Sequence, residues 1–160
     1  MLNLNDILKT KIESRYSAAQ LSVLILLRLV IGYHFLYEGF DKILSSTWTS
    51  AGFLKQANWI FAGFFHTIAD SLNLLIFVDN INIWLQLIIG LFLVTGLFTR
   101  TAAIIGAVLI TLYYVAIPPF VQNYIFIDKN LLEIFGLLVL ALFRTSDIIG
   151  LDRLLKKFRS

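Results

Sequence analysis

The sequence predicts an all-α membrane protein: a four-transmembrane-helix bundle with an additional amphipathic, interfacial helix between helices 1 and 2. Three observations predict it. Of 160 residues, 59% are AVILMFWYC and only 14% are charged; the mean hydropathy is +0.84; and apolar runs of span length are separated by charges, prolines or polar connections. A water-soluble fold of this length needs more charged surface than 13 Lys+Arg and 10 Asp+Glu supply, so lipid is the solvent. Residues 1–160 read as a single integral membrane domain.

The first span covers about 18–40, behind Lys9, Lys11 and Arg15. At 1.5 Å per residue it reaches about 34 Å, enough to cross the hydrocarbon core. Its end at Phe40-Asp41-Lys42 has no small-residue cleavage pattern, so it reads as a retained span, not a leader. In the long connection that follows, Phe53, Ala57, Ile60, Phe61, Phe64, Ile68, Leu72 and Leu75 recur every three or four positions. That is a helical period, and it predicts an amphipathic helix over about 53–75. With Lys55, Gln56, Asn58, His66, Asp70 and Asn73 on its other face, this helix suits the membrane interface better than a fifth span; a re-entrant path is the alternative. The second span covers about 81–98 and stops at Thr99-Arg100-Thr101; the third covers about 102–117 and stops at Pro118-Pro119, which cannot continue a helix. The fourth runs from about 130 to 149, with Arg144 reaching back to the interface.

Nine of the thirteen basic residues precede helix 1, lie between helices 2 and 3, or follow helix 4. The excess of Lys and Arg on that side predicts both termini in the cytoplasm of a multi-pass inner-membrane protein. Trp48, Trp59 and Trp84 then fall toward the outer side, where an aromatic belt sits at headgroup level. On helix 3, Thr99, Ala102, Ala103, Gly106, Ala107 and Thr111 form small faces that admit a neighbouring backbone closely.

Composition excludes several chemistries. The net charge of +3 is spread through an apolar chain without a nucleic-acid motif, so no nucleic acid is expected. With no cysteine there is no disulfide, thiolate or iron–sulfur cluster. His34 and His66 are too few and too far apart for a bis-imidazole haem or a carboxylate–histidine metal site, and no metal is expected. GxGxxG, GxxxxGK[ST] and GxSxG are all lacking, which leaves no local warrant for dinucleotide, NTP or serine-hydrolase chemistry.

On a helical wheel starting at Arg28, the groups His34, Glu38, Asp41 and Lys42 fall within about 100° of one another. Ionisable groups facing lipid cost a few kcal/mol on insertion scales, so this stripe should face the bundle or a wet cavity. His34–Glu38 and Glu38–Lys42 are i,i+4 steps, so imidazole, carboxylate and ammonium can meet near the outer end of the span and pass protons. The plainer readings are an interfacial Glu38–Lys42 ion pair and a His34 that bonds one neighbour. Arg28, near mid-membrane, needs a partner, for which Glu133 is a candidate. Glu133 follows Asp128-Lys129-Asn130 at the start of helix 4, where helix-start placement is its plainer role. Asn82, Trp84, Gln86, Tyr113 and Tyr114 share this outer depth, and their joint location is the signal.

Arg28 with Gly32, Glu38-Gly39-Phe40-Asp41-Lys42, Gly90, Gly96-Leu97-Phe98-Thr99-Arg100-Thr101-Ala102-Ala103, Asp128-Lys129-Asn130-Leu131-Leu132-Glu133 and Gly150-Leu151-Asp152 together resemble the DoxX/DoxD family of small membrane proteins. The resemblance extends from about Leu21 onward. It implies a four-helix membrane bundle and, through the DoxD branch, the membrane-embedded subunit of a thiosulfate:quinone oxidoreductase. It carries over Arg28, Glu38, Lys42, Arg100 and Glu133 as family-like positions.

The leading expectation is therefore a quinone-linked redox subunit. An apolar slot between helices takes the quinone ring; Glu38, Glu133, His34 and Lys42 handle protons; Arg28, Trp84, Tyr113 and Tyr114 bind the ring or its carbonyls. The chain stores no electrons, so a partner redox protein or a small sulfur-compound reductant supplies them. Two alternatives stay open: a non-enzymatic scaffold or assembly partner in the lipid, and a small-solute or ion pathway through a homo-oligomer.

Overall fold

The computed structural model describes residues 16–123, 126–143 and 149–152. Every regular element within them is a helix. Three are long and apolar enough to cross a membrane: α1 (Ala18–Leu44), α4 (Leu72–Thr95) and a run from Thr99 to Val121 that contains α5 (Thr99–Ala116) and α6 (Pro119–Asn123). Between α1 and α4 lie α2 (Ala51–Lys55) and α3 (Ala62–Asp70), and α7 spans Lys129–Leu142.

α1 begins on a capping box: Ser17 Oγ accepts from the Gln20 amide at 3.2 Å and Gln20 Oε1 from the Ser17 amide at 2.9 Å. It continues one turn beyond the expected end at 40, because Lys42 is well placed near a helix C-terminus and pairs back to Glu38. The expected helix over 53–75 is not one helix. Its chain is interrupted at 56–61, where the Asn58 amide donates to Ala116 O at 3.2 Å and Ala57 O meets His66 Nε2 at 3.0 Å, contacts that a continuous helix cannot make. Leu54, Ala57, Phe65 and Ala69 fold onto Ala116 as a small second core, while Ile60, Phe61, Phe64 and Leu72 of the expected apolar face are exposed.

α4 starts at Leu72, well before the expected 81. Asp79, two residues before that expected start, lies inside the helix and accepts from Thr49 Oγ1 at 2.8 Å, from the Ser50 amide at 2.9 Å and from Ser50 Oγ. It thereby ties down the start of α2. α4 ends on Gly96 at φ 70°, with the Leu97 amide bonded back to Phe92 O at 3.0 Å, a Schellman closure that needs glycine's left-handed backbone. α7 starts on Asp128, whose side chain accepts from the Leu131 amide. Its 14 described residues rise about 21 Å, and the expected continuation past Arg144 falls on 144–148, outside the described residues.

α1 packs along α4 and α5 along α7. The α1–α4 approach is very close: a Cβ on Gly90 would lie 2.7 Å from Leu36 N and 2.8 Å from Gly32 O, the small-residue contact by which helices associate in lipid. The small face of α5 does what its spacing predicts, burying Ala102, Ala103, Gly106 and Ala107. Phe35, Ile89, Leu93, Leu137 and Leu140, none more than 2% exposed, fill the centre. Outside, Val23, Val30 and Tyr33 on α1, Phe77 and Leu91 on α4, Val108 on α5, and Leu132 and Phe135 on α7 all face outward. An apolar exterior on every long helix suits lipid and not water.

Candidate functional site

Four helices bring polar side chains to one place at the α1–α2 end of the bundle. α1 contributes His34 and Glu38, α4 Gln86, α5 Ile110 and Tyr113, and α7 Lys129, Asn130 and Glu133. They enclose a pocket of about 60 Å³. Glu38 Oε2 accepts from Lys42 Nζ at 2.8 Å, and Lys42 also lies 5.4 Å from the centre of the Trp48 ring. His34 Nε2 approaches Glu133 Oε2 at 3.7 Å, close enough to interact through charge but too long for a hydrogen bond. Tyr113 OH accepts from Asn82 Nδ2 and, at 3.4 Å, from Gln86 Nε2. Its own hydroxyl proton is thus available as a donor.

Burial differs sharply across the cluster. Gln86 is 3% exposed, and the Glu133 side chain 13%, whereas His34 is 45% and Glu38 39% exposed. The cluster therefore has a buried floor and an open rim. Three of its buried acceptor oxygens, Asn82 Oδ1, Gln86 Oε1 and Glu133 Oε1, have no hydrogen-bond partner among the described residues. Such groups are costly unless a proton or a water reaches them.

Of the residues expected to act together, His34, Glu38, Lys42, Glu133 and Tyr113 do meet. Trp84 does not: it is 59% exposed and points away from the pocket, although it lies between Asn82 and Gln86 in sequence, because a helix turns about 100° per residue. Tyr114 does not either. Its OH donates to Phe126 O at 2.8 Å, and its ring packs among Phe120 and Phe126.

Arg28 belongs to another place altogether, and the suggested pairing with Glu133 is not made. Arg28 Nη1 donates to Ile149 O at 2.7 Å beside Gly96. Nearby, Asp152 Oδ1 accepts from the Phe98 amide at 2.9 Å, and the Asp152 amide donates to Gly96 O at 3.2 Å. The guanidinium, 3% exposed, thus joins α1, the α4–α5 turn and the segment after α7 at the opposite end of the bundle. Arg100 lies at that end too, exposed at the start of α5. Lys129 is the pocket residue that the sequence reading passed over as part of a helix start. Its spacing of four from Glu133 repeats the Glu38–Lys42 step and was the available signal.

The pocket has room for a water or two, each taking roughly 30 Å³ in the liquid. It is far below the roughly 300 Å³ at which small-molecule pockets begin. A quinone ring does not fit in this polar pocket, beneath which Phe35, Ile89, Ile110 and Leu137 pack; a larger, mostly apolar pocket of about 600 Å³ lies at the other end of the bundle, between the start of α1 (Ala19, Val23) and the end of α7 (Val139, Phe143). Among the described residues no group of three or more His, Cys, Asp or Glu is placed to hold a metal.

The architecture is that of a small helical membrane protein with an acid–base cluster at one end of its bundle. Residues 23–118 match the DoxX family, and the chain belongs to that family. The matched part carries α1, α4 and α5, and with them His34, Glu38, Gln86 and Tyr113; α7 with Glu133 lies beyond it. No curated protein and no solved structure matches the chain.

Proposed function

We propose that this chain is the membrane-embedded subunit of a quinone-linked oxidoreductase of the DoxD kind, passing electrons from a partner redox protein or a small sulfur-compound reductant to membrane quinone. The supporting observation is the convergence of His34, Glu38, Glu133, Lys129 and Tyr113, drawn from three helices, on one polar pocket inside an apolar bundle. Convergence of this kind is expensive in a membrane and is a functional-site signature. Because the pocket holds no ring, the quinone docks at its lipid-facing mouth, where His34 and Glu38 are both partly exposed. A quinone takes electrons and protons together. His34 and Glu38 at the rim, with Lys42 holding Glu38 in place, exchange those protons, and Tyr113 and Glu133 stand behind them.

The same reading puts α7 across the membrane as a fourth span once its continuation is included, with both termini on the cytoplasmic side. It lays 51–70 in the outer interface, where Ile60, Phe61 and Phe64 are exposed to the headgroup region. Quenching of tryptophan fluorescence by menaquinone-4 in lipid nanodiscs tests it. Saturable quenching that is weakened at least several-fold in His34→Phe and Glu38→Gln is expected. Quenching that only tracks the quinone dissolved in lipid, identical in all variants, rejects the redox reading.

The smallness of the pocket favours a second reading, a non-enzymatic scaffold in which these polar groups only knit the helices together. Under that reading Glu38→Gln, Lys42→Met and Glu133→Gln change stability by amounts that do not depend on added quinone.

A further inference from the structure

Glu133 is the one acid of the cluster that no cation satisfies. Glu38 is neutralised by Lys42 at 2.8 Å, but Glu133 Oε2 has only the 3.7 Å approach to His34, and its buried Oε1 has no partner. Lys129, from the same helix, sits exposed at the rim, where solvent screens it. From α4, Gln86 presents a second buried, unpartnered acceptor, Oε1, to the same pocket. From α5, Tyr113 keeps a hydroxyl proton to donate. An ionised Glu133 leaves both of these acceptors, on the walls of one pocket, without a proton to accept. A neutral Glu133 supplies that proton: its carboxyl O–H donates to Gln86 Oε1, directly or through one water, and both orphans are satisfied.

Access to this proton is one-sided. Below the pocket, Leu93 and Leu137 are 0%, Phe35 1% and Ile89 2% exposed. A Cβ added at Gly106 would lie 3.2 Å from Leu137, 3.3 Å from Phe35 and 3.4 Å from Ile89. At Gly106 these three side chains leave little room for a methyl group, and so little for a water of similar size. On the other side His34 is 45% exposed.

We propose that Glu133 is a proton store, a carboxyl group that is neutral at pH 7 and exchanges its proton only with the α1–α2 side of the membrane, through His34. In the exchange the O–H bond of Glu133 breaks and an N–H bond forms at His34 Nε2, giving carboxylate and imidazolium; the imidazolium then releases the proton to water at the rim. No electron moves. The inference concerns the site of the proposed quinone chemistry but rests on its geometry alone, and its test contains no quinone, so either can fail without the other.

The test is infrared difference spectroscopy of the full chain in lipid with carbon-13-labelled glutamate, of which there are only three residues, Glu13, Glu38 and Glu133. A protonated-carboxyl band at pH 7 that shifts with the label, moves in deuterium oxide and is lost in Glu133→Gln is expected. If the band is missing, or survives in Glu133→Gln, the store is overturned. Should Glu133→Gln not fold, the label shift in the wild type together with a shift of that band in Gln86→Leu, which removes the proposed acceptor without adding a carboxyl group, decides the same question. In proteoliposomes loaded with a pH dye, an imposed gradient should decay no faster than in protein-free vesicles. Decay that the wild type accelerates and His34→Phe abolishes overturns the one-sidedness.

Discussion

Replacing Gly90 by alanine tests the closest helix contact in the bundle. The new Cβ would sit 2.7 Å from Leu36 N, 2.8 Å from Gly32 O and 2.8 Å from Leu36 Cγ, where ordinary contact begins at 3.4 Å. Two of these three atoms are backbone, so no rotamer change relieves the overlap, and α1 and α4 must separate by roughly half an ångström along a shared interface. Overpacking of this kind costs about 1–3 kcal/mol, while alanine's better helix propensity returns up to about 1 kcal/mol. A net loss of about 1–2 kcal/mol follows from these two effects. Gly63→Ala in α3 is the matched control, since nothing lies within 4 Å of its added Cβ and only the propensity gain remains. Reversible unfolding in mixed detergent micelles should place Gly90→Ala below wild type and Gly63→Ala level with it or above. A Gly90→Ala protein as stable as wild type would show that α1 and α4 do not meet through Gly32 and Gly90.

Tyr113→Phe removes the acceptor of Asn82 and Gln86 and should cost about 1–3 kcal/mol, because two buried amides lose their partner; equilibrium unfolding in the same micelles measures it. Lys42→Met should cost no more than about 1 kcal/mol, since its carboxylate partner is 39% exposed and a part-exposed ion pair contributes little. Arg28→Met should cost about 1–3 kcal/mol, since Ile149 O loses its charged donor and Asp152 loses a neighbouring cation. Hydrogen exchange should then speed up first in the α4–α5 turn and at 149–152. Asp79→Ala should loosen residues 49–55 in the same exchange experiment while leaving the 34–42 stretch protected, because its three hydrogen bonds all go to Thr49 and Ser50.

The helix content and the membrane setting were legible in the letters because both follow from composition and period. The Pro118-Pro119 stop is a local signal and sits where α5 ends; the Ser17 cap and the Gly96 stop are local signals too, but the sequence reading did not use them and carried the second span past Gly96 to 98. The misread boundaries have a common cause. Asp79 and Asn82 look like the polar edge of a span, yet one ties down α2 and the other bonds Tyr113, so their polarity is spent on tertiary partners and not on solvent. The period over 53–75 named the wrong face: of its residues Ala57 is buried, whereas Ile60, Phe61, Phe64 and Leu72 are exposed and Leu54, Phe65 and Ala69 bury against Ala116 instead. In an apolar segment that meets lipid, hydrophobic spacing does not distinguish a core-facing side chain from a lipid-facing one.

For the candidate site, the sequence by itself determined the α1 face: His34, Glu38 and Lys42 stand four residues apart, and helix geometry alone puts them together. It could not determine their partners. Trp84, Gln86, Tyr113 and Tyr114 share a depth, and only the rotation of α4 and α5 about their own axes decides that Gln86 and Tyr113 face inward while Trp84 faces out and Tyr114 turns to Phe126. Depth is written in chain position, at a fixed rise per residue, but rotation is set by which faces pack against neighbours. Arg28 stands about 15 Å below Glu38 on α1 by chain position alone, but its partner was hidden in the same way. Its contact with Ile149 lies 121 residues away in the chain, and no local pattern encodes a meeting that exists only after the bundle has closed.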